Sequence, residues 1–220
     1  MNLDHSALDA LHHITYAASR DESRPQCTRN INFDGDAAFC FDNYRAAIAW
    51  LDGEPAPRCS LDPAMLRSTT TGCLPLTNEE LSSYWDLAWR PLVARLRWVW
   101  ALTIDRTALV NACRGITRTK NRNDQQVMRF DPDGTIWAGT RKDWIGSVVD
   151  QREIARGATV HANEPGVPAQ PVIVNSVFFR DIATHHRASL MTIEFDTPNC
   201  PITIREPGIS HILMPLRATW

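Results

Sequence analysis

Apolar residues along this chain change their spacing, from roughly every third or fourth position to every second one, and that change limits what the chain can fold into. In the first part, Leu8, Leu11 and Tyr16 fall near helical spacing within Ser6 to Arg20, with Ser6 or Asp4 as the N-cap. Asn32-Phe33-Asp34-Gly35-Asp36 reads as a turn. Asp42 to Leu51 predicts a second helix that starts at Asp42 or Asn43 and stops near Gly53. Pro55, Pro57, Pro63, Pro75 and the run Thr69-Thr70-Thr71-Gly72 make residues 53–76 a long connection. Thr77-Asn78-Glu79-Glu80 then has the form of a capping box, ahead of Leu81, Tyr84, Trp85 and Ala88 on one helical face. Pro91 ends or kinks that helix. Leu92 to Ile104 fits a helix at its start and alternates like a strand at its end. Asp105 caps a short helix that Gly115 terminates.

The second part reads as strands. Asp131-Pro132-Asp133-Gly134 predicts a hairpin turn between Val127–Phe130 and Thr135–Ala138. Val172 to Phe179 is a mostly apolar run suited to a central strand covered on both faces. Met191, Ile193 and Phe195 alternate with polar residues, Ile202 and Ile204 repeat the pattern, and a last strand runs from Ile209 to Met214. Helices followed by strands imply an α+β class, with a helical N-terminal half packed against a mainly antiparallel sheet from the C-terminal half. The expected boundaries are a helical part over 1–122 and a β-rich part over 123–220, forming one compact unit without an internal repeat.

The 220 residues include 25 acidic and 23 basic side chains, and only Lys120 and Lys142 among the bases are lysine. The charge is uneven. Residues 1–89 carry 13 acids and 6 bases; residues 90–122 carry 8 bases and Asp105 alone, a net of 8 − 1 = +7. Such an excess bears on partners rather than on fold. Arg114, Arg118, Lys120 and Arg122 lie among threonines and Asn121, and guanidinium forks, hydroxyls and amides all bind phosphate oxygens. Arg90, Arg95 and Arg97 extend that set, and Trp98 and Trp100 beside them offer base-stacking platforms. The competing reading sets these cations against the acidic first 89 residues, within the molecule or between subunits.

No apolar run is long enough to cross a membrane, and the opening residues lack a signal peptide, so a cytoplasmic location is expected. Cys27, Cys40, Cys59, Cys73, Cys113 and Cys200 show no C-x-x-C pair and read as reduced, buried thiols. Neither His12-His13 nor His185-His186 has the i, i+4 spacing of a helical metal pair. A metal site would need distant residues such as His161, His186, Glu194 and Cys200, and neither a metal nor a cofactor is expected. His13-Ile14-Thr15 resembles the H-x-T element of the two-histidine phosphoesterases, which implies a second H-x-T/S that this sequence lacks. Leu11 to Thr15 resembles the opening strand of glyoxalase-like metal enzymes, whose later ligands have no counterpart here.

Three functions follow. The first is an accessory, nucleic-acid-associated protein holding DNA or RNA phosphates through its arginine-rich segment. The second is an assembly protein whose acidic and basic regions form an oligomer. The weaker third is an enzyme with a site built from Cys and His.

Overall fold

A computed structural model describes residues 5–51, 56–68, 90–94, 97–116, 125–142, 147–162 and 168–216, without the side chains of 67, 68 and 90. The chain divides into two compact units, Met1–Arg95 with Pro207–His211 and Leu96–Glu206 with Ile212–Trp220. In the first unit, helix α1 (His5–Ile14) and a 3₁₀ turn (Thr15–Ala17) precede the short helix α2 (Gln26–Arg29). Strands β1 (Ile31–Gly35), β2 (Ala37–Phe41) and β3 (Arg45–Trp50) form an antiparallel meander, and β4 (Ala56–Leu61) returns to pair with β1. Short helices α3 (Pro63–Ser68) and α4 (Arg90–Val93) follow. Leu8, Leu11 and Ile14 bury one stripe of α1 in a core with Ala38, Cys40, Ala47 and Ala49. Those small side chains let the helix approach the sheet closely. The opposite face is also buried: Phe39 and Phe41 are inaccessible and their rings stack at 6.0 Å.

The second unit starts with β5 (Trp100–Asp105) and α5 (Arg106–Arg114), continued by the meander β6 (Gln125–Phe130), β7 (Thr135–Arg141) and β8 (Val148–Arg156). Strand β9 (Ala158–His161) then pairs with β5. The pattern recurs: β10 (Val172–Asn175), α6 (Ser176–His185), then β11 (Leu190–Phe195), β12 (Ile202–Glu206) and β13 (Ile209–Leu213), whose residues 209–211 are counted in the first unit. Strand β10 pairs with β6 as β5 pairs with β11, both antiparallel. Each helix starts on a side-chain cap that ends the strand before it. Asp105 accepts the Ala108 N–H at 2.7 Å, and Asn175 accepts the Val177 N–H at 2.9 Å. Leu216 donates to Ile173 beside β10 just as Ala162 donates to Val99 beside β5. The helix-then-meander order of α1–β3 makes a third instance of the same unit of structure.

These observations overturn the expected division into a helical half and a sheet half. Both units are built on antiparallel sheets, and no described helix exceeds ten residues. Asp42 does not start a helix. Its carboxylate accepts the Tyr44 and Arg45 N–H groups at 2.7 and 2.9 Å, closing the turn between β2 and β3. The alanines that favour a helix over 46–49 are instead a strand buried on both faces, where pairing and burial outweigh local propensity. Phe33 and Asp34 lie in β1 rather than in a turn, and residues 176–179 are helix rather than strand. The repeat was invisible in sequence because only caps and alternation recur, not residue identities. The capping box at Thr77–Glu80 lies outside the described residues.

The hairpin at Asp131–Gly134 forms as its turn residues require. Gly134 has φ of +88°, and a Cβ there would collide with the Gly157 carbonyl, so only glycine fits. Among the described residues, no helix is long and apolar enough to cross a membrane.

Candidate nucleic-acid interface

Helices α5 and α6 pack on each other and on the sheets of the second unit, running in opposite directions. Leu109, Val110 and Cys113 face inward from α5, as do Phe179, Ile182 and Ala183 from α6. The exposed faces carry Thr107, Asn111 and Arg114 on one helix and Thr184 and His185 on the other, with half-buried Arg106 and Arg180 and exposed Arg187 just beyond. The acids of this surface are Asp105, committed to its cap, and half-buried Asp181.

Among the sequence candidates, Arg114 is exposed at the end of α5 and donates to the Asn111 side chain at 3.3 Å, a neutral partner among the described residues. Arg97 is also exposed, but its Nε lies 3.5 Å from the Asp196 carboxylate. Arg90 begins α4 in the first unit. Arg95, Arg118, Lys120 and Arg122 lie outside the described residues.

Sequence reasoning missed three arginines. Arg106 donates from Nε to the Ala183 carbonyl at 3.1 Å and from Nη2 to the Thr184 carbonyl at 2.9 Å, capping the last turn of α6 with positive charge. Arg152, from β8, donates to the Gly115 carbonyl and so fixes the end of α5 from which the basic segment departs. Arg180 emerges from what the apolar run 172–179 disguised as a strand. The available signal was Asn175-Ser176, which is an N-cap sequence as well as a strand end.

The described cysteines, Cys27, Cys40, Cys59, Cys113 and Cys200, are free thiols, and Cys73 lies outside the described residues. Burial pushes the Cys113 thiol up to about 12, against the opposing influence of the Arg180 charge, and burial raises Cys40 as well. A thiol held protonated is a poor nucleophile and a poor metal ligand. The scattered metal candidates have separate partners. Glu194 pairs with Arg205 at 2.8 Å, Cys200 accepts the Thr197 hydroxyl, His186 faces Glu206 at 3.7 Å, and His161 is exposed on β9.

No protein-family model and no curated protein matches the sequence. Solved structures do resemble the fold. The DNA polymerase III beta subunit from Thermotoga maritima matches with a TM-score of 0.72 at 14% identity, over 100% of this chain and 65% of its own. The corresponding subunit from Streptococcus pyogenes gives 0.74 at 14% identity, over 99% and 66%. The DNA polymerase sliding clamp from Bacillus subtilis gives 0.69 at 13% identity, over 99% and 64%. The chain has the sliding-clamp fold. It spans about 65% of the length of the first of those clamp structures.

Proposed function

We propose that this protein is a DNA-associated accessory factor of the clamp type, which assembles with further subunits into a ring and holds DNA through the α5–α6 face. The observation that carries the reading is the clamp fold matched along the whole chain. The exposed, net-positive helix pair supports it, because guanidinium groups on helices that follow a backbone make sequence-independent phosphate contacts. Arg114 is the phosphate contact on this face, and Arg90, Arg95, Arg97, Arg118, Lys120 and Arg122 are further phosphate contacts of the same proposal. Assembly draws support from β8, a nine-residue, largely exposed strand at the end of the order β10-β6-β7-β8, whose outer edge is a template for strand pairing.

The test is retention on DNA of two topologies. A ring that encloses DNA stays on a nicked circular plasmid through a salt wash and slides off the same plasmid once it is linearised, while sedimentation reports an oligomer. Equal release from both forms by a strictly monomeric protein would refute the reading.

A further inference from the structure

Arg141, the last residue of β7, is only 5% exposed, and its Nε has no hydrogen-bond partner. No ion pair or hydrogen bond reaches its guanidinium from the described residues. The pairing of β6 with β7 fixes where it stands. Met128 and Phe130 point toward the helices, where they meet Cys113 and Phe179, and Gln126 opposite Thr140 shares their face. Gln125 and Arg141, directly opposite each other, therefore stand on the other face, away from the α5–α6 surface. The Gln125 Oε1 is likewise buried without a partner. Among the described acids on this face, Asp131 is engaged by Arg129 Nη2 at 2.7 Å and Trp137 Nε1 at 2.9 Å, and Glu153, opposite Trp137, lies 3.4 Å from Arg156 Nε. Val148 pairs with Arg141 on its other side, and Val127, Val148 and Ile173 form an apolar cluster closed by Leu216.

A guanidinium stays protonated in a protein, and a charge withdrawn from water without an opposite charge is costly. We propose that Arg141 anchors a carboxylate-binding site, in which the guanidinium fork takes both oxygens and Gln125 turns its amide N–H toward them. One cation beside a neutral amide and aliphatic walls suits a monoanion with an apolar stem better than a phosphate dianion. The carboxylate is supplied either by a small free acid or by an acidic side chain of a partner. The site is independent of DNA contact, since it lies on the opposite face of its sheet.

The experiment follows the Arg141 Nε–H signal in ¹⁵N-labelled protein, assigned by its loss in Arg141→Lys, with no DNA present. Sodium acetate and the blocked peptide acetyl-Leu-Asp-Leu-amide are each titrated against sodium chloride at matched ionic strength. A saturable shift with acetate identifies a free carboxylate; a shift with the peptide and none with acetate identifies a partner side chain. Either supports the site. The melting temperature should rise with the same ligand, and Arg141→Lys should need about tenfold more of it, because a point charge replaces a two-pronged donor. If Arg141→Lys does not fold, Gln125→Leu serves, with weaker binding expected and the Nε–H signal retained. A signal that neither carboxylate moves, one that chloride moves equally, or an unchanged ligand requirement in both variants would each overturn the proposal.

Discussion

Trp100 lies flat on Phe195, with ring centroids 3.9 Å apart and planes inclined by 10°, at a directly paired position of β5 and β11. Phe195 touches Phe130 at 5.4 Å, and Phe130 touches Phe179 of α6 at 5.0 Å. This buried aromatic chain connects the two sheets of the second unit to one of its helices. Phe195→Ala should therefore cost about 3–5 kcal/mol, as expected for emptying a closed aromatic site, and urea unfolding would register it. Trp100→Phe should cost less, because it also removes an indole N–H that is buried without a partner. Val160→Ala, at a position 60% exposed, should change stability by no more than about 0.5 kcal/mol.

The two strand-ending caps make a second test. Asp105→Ala and Asn175→Ala each leave helical N–H groups without an acceptor and should cost about 1 kcal/mol apiece, measured by thermal melting. Asp105→Asn keeps an acceptor and should cost distinctly less. If the caps merely decorate helices held by packing, all three variants will melt with the parent.

Local signals carried those parts of the fold that one short stretch of chain decides. Asp105 and Gly115 bounded α5, Asp131–Gly134 placed a hairpin, and alternation at 191–195 gave β11, because cap, turn and pleat chemistry act within a few residues. What failed was decided at long range. Ala46, Ala47 and Ala49 become strand only because β2 lies alongside, whereas Val172–Phe179 splits at Asn175, whose side chain caps α6, a local signal that the apolar run masked. The charge excess of residues 90–122 was legible in the sequence, and of its members Arg114 stands exposed at the end of α5. The roles of Arg106 and Arg152 depend on carbonyls 77 and 78 residues away for the first and 37 for the second, and had no local signature. Arg141 had none either: its burial comes from the sheet, not from its neighbours in sequence.

Thiol protection provides a prediction about pH. Burial raises the Cys113 thiol from 9.0 to about 12, so the folded state favours the protonated form. The resulting stability is fully present below about 9, where unfolded and folded thiols are both protonated, and is lost as pH rises from there toward 12. Urea midpoints should fall across that range, and Cys113→Ala should flatten the decline. Iodoacetamide in native buffer should label the half-exposed Cys27 and Cys200 while sparing Cys40 and Cys113, as read by peptide mass spectrometry. Early labelling of Cys113 would mean that α5 opens more readily than its packing implies.

The sharpest test of the DNA reading separates arginines that reach outward from those that hold the protein together. Arg114 is exposed and, among the described residues, bonds to the neutral Asn111 side chain, so Arg114→Ala should weaken DNA binding alike for unrelated sequences. It should also reduce the slope of log affinity against log salt by about one, the loss expected when one phosphate contact disappears. Arg106 spends its fork on the Ala183 and Thr184 carbonyls, so Arg106→Met should lower the melting temperature and loosen α6 while the salt slope stays near that of the parent. Arg24, which pairs locally with Asp21, is the control, and its reversal to Glu should leave both quantities unchanged. Fluorescence anisotropy with a labelled duplex across a salt series measures all three variants. A parental slope in Arg114→Ala would remove this side chain from the phosphate-binding set, whatever the fold.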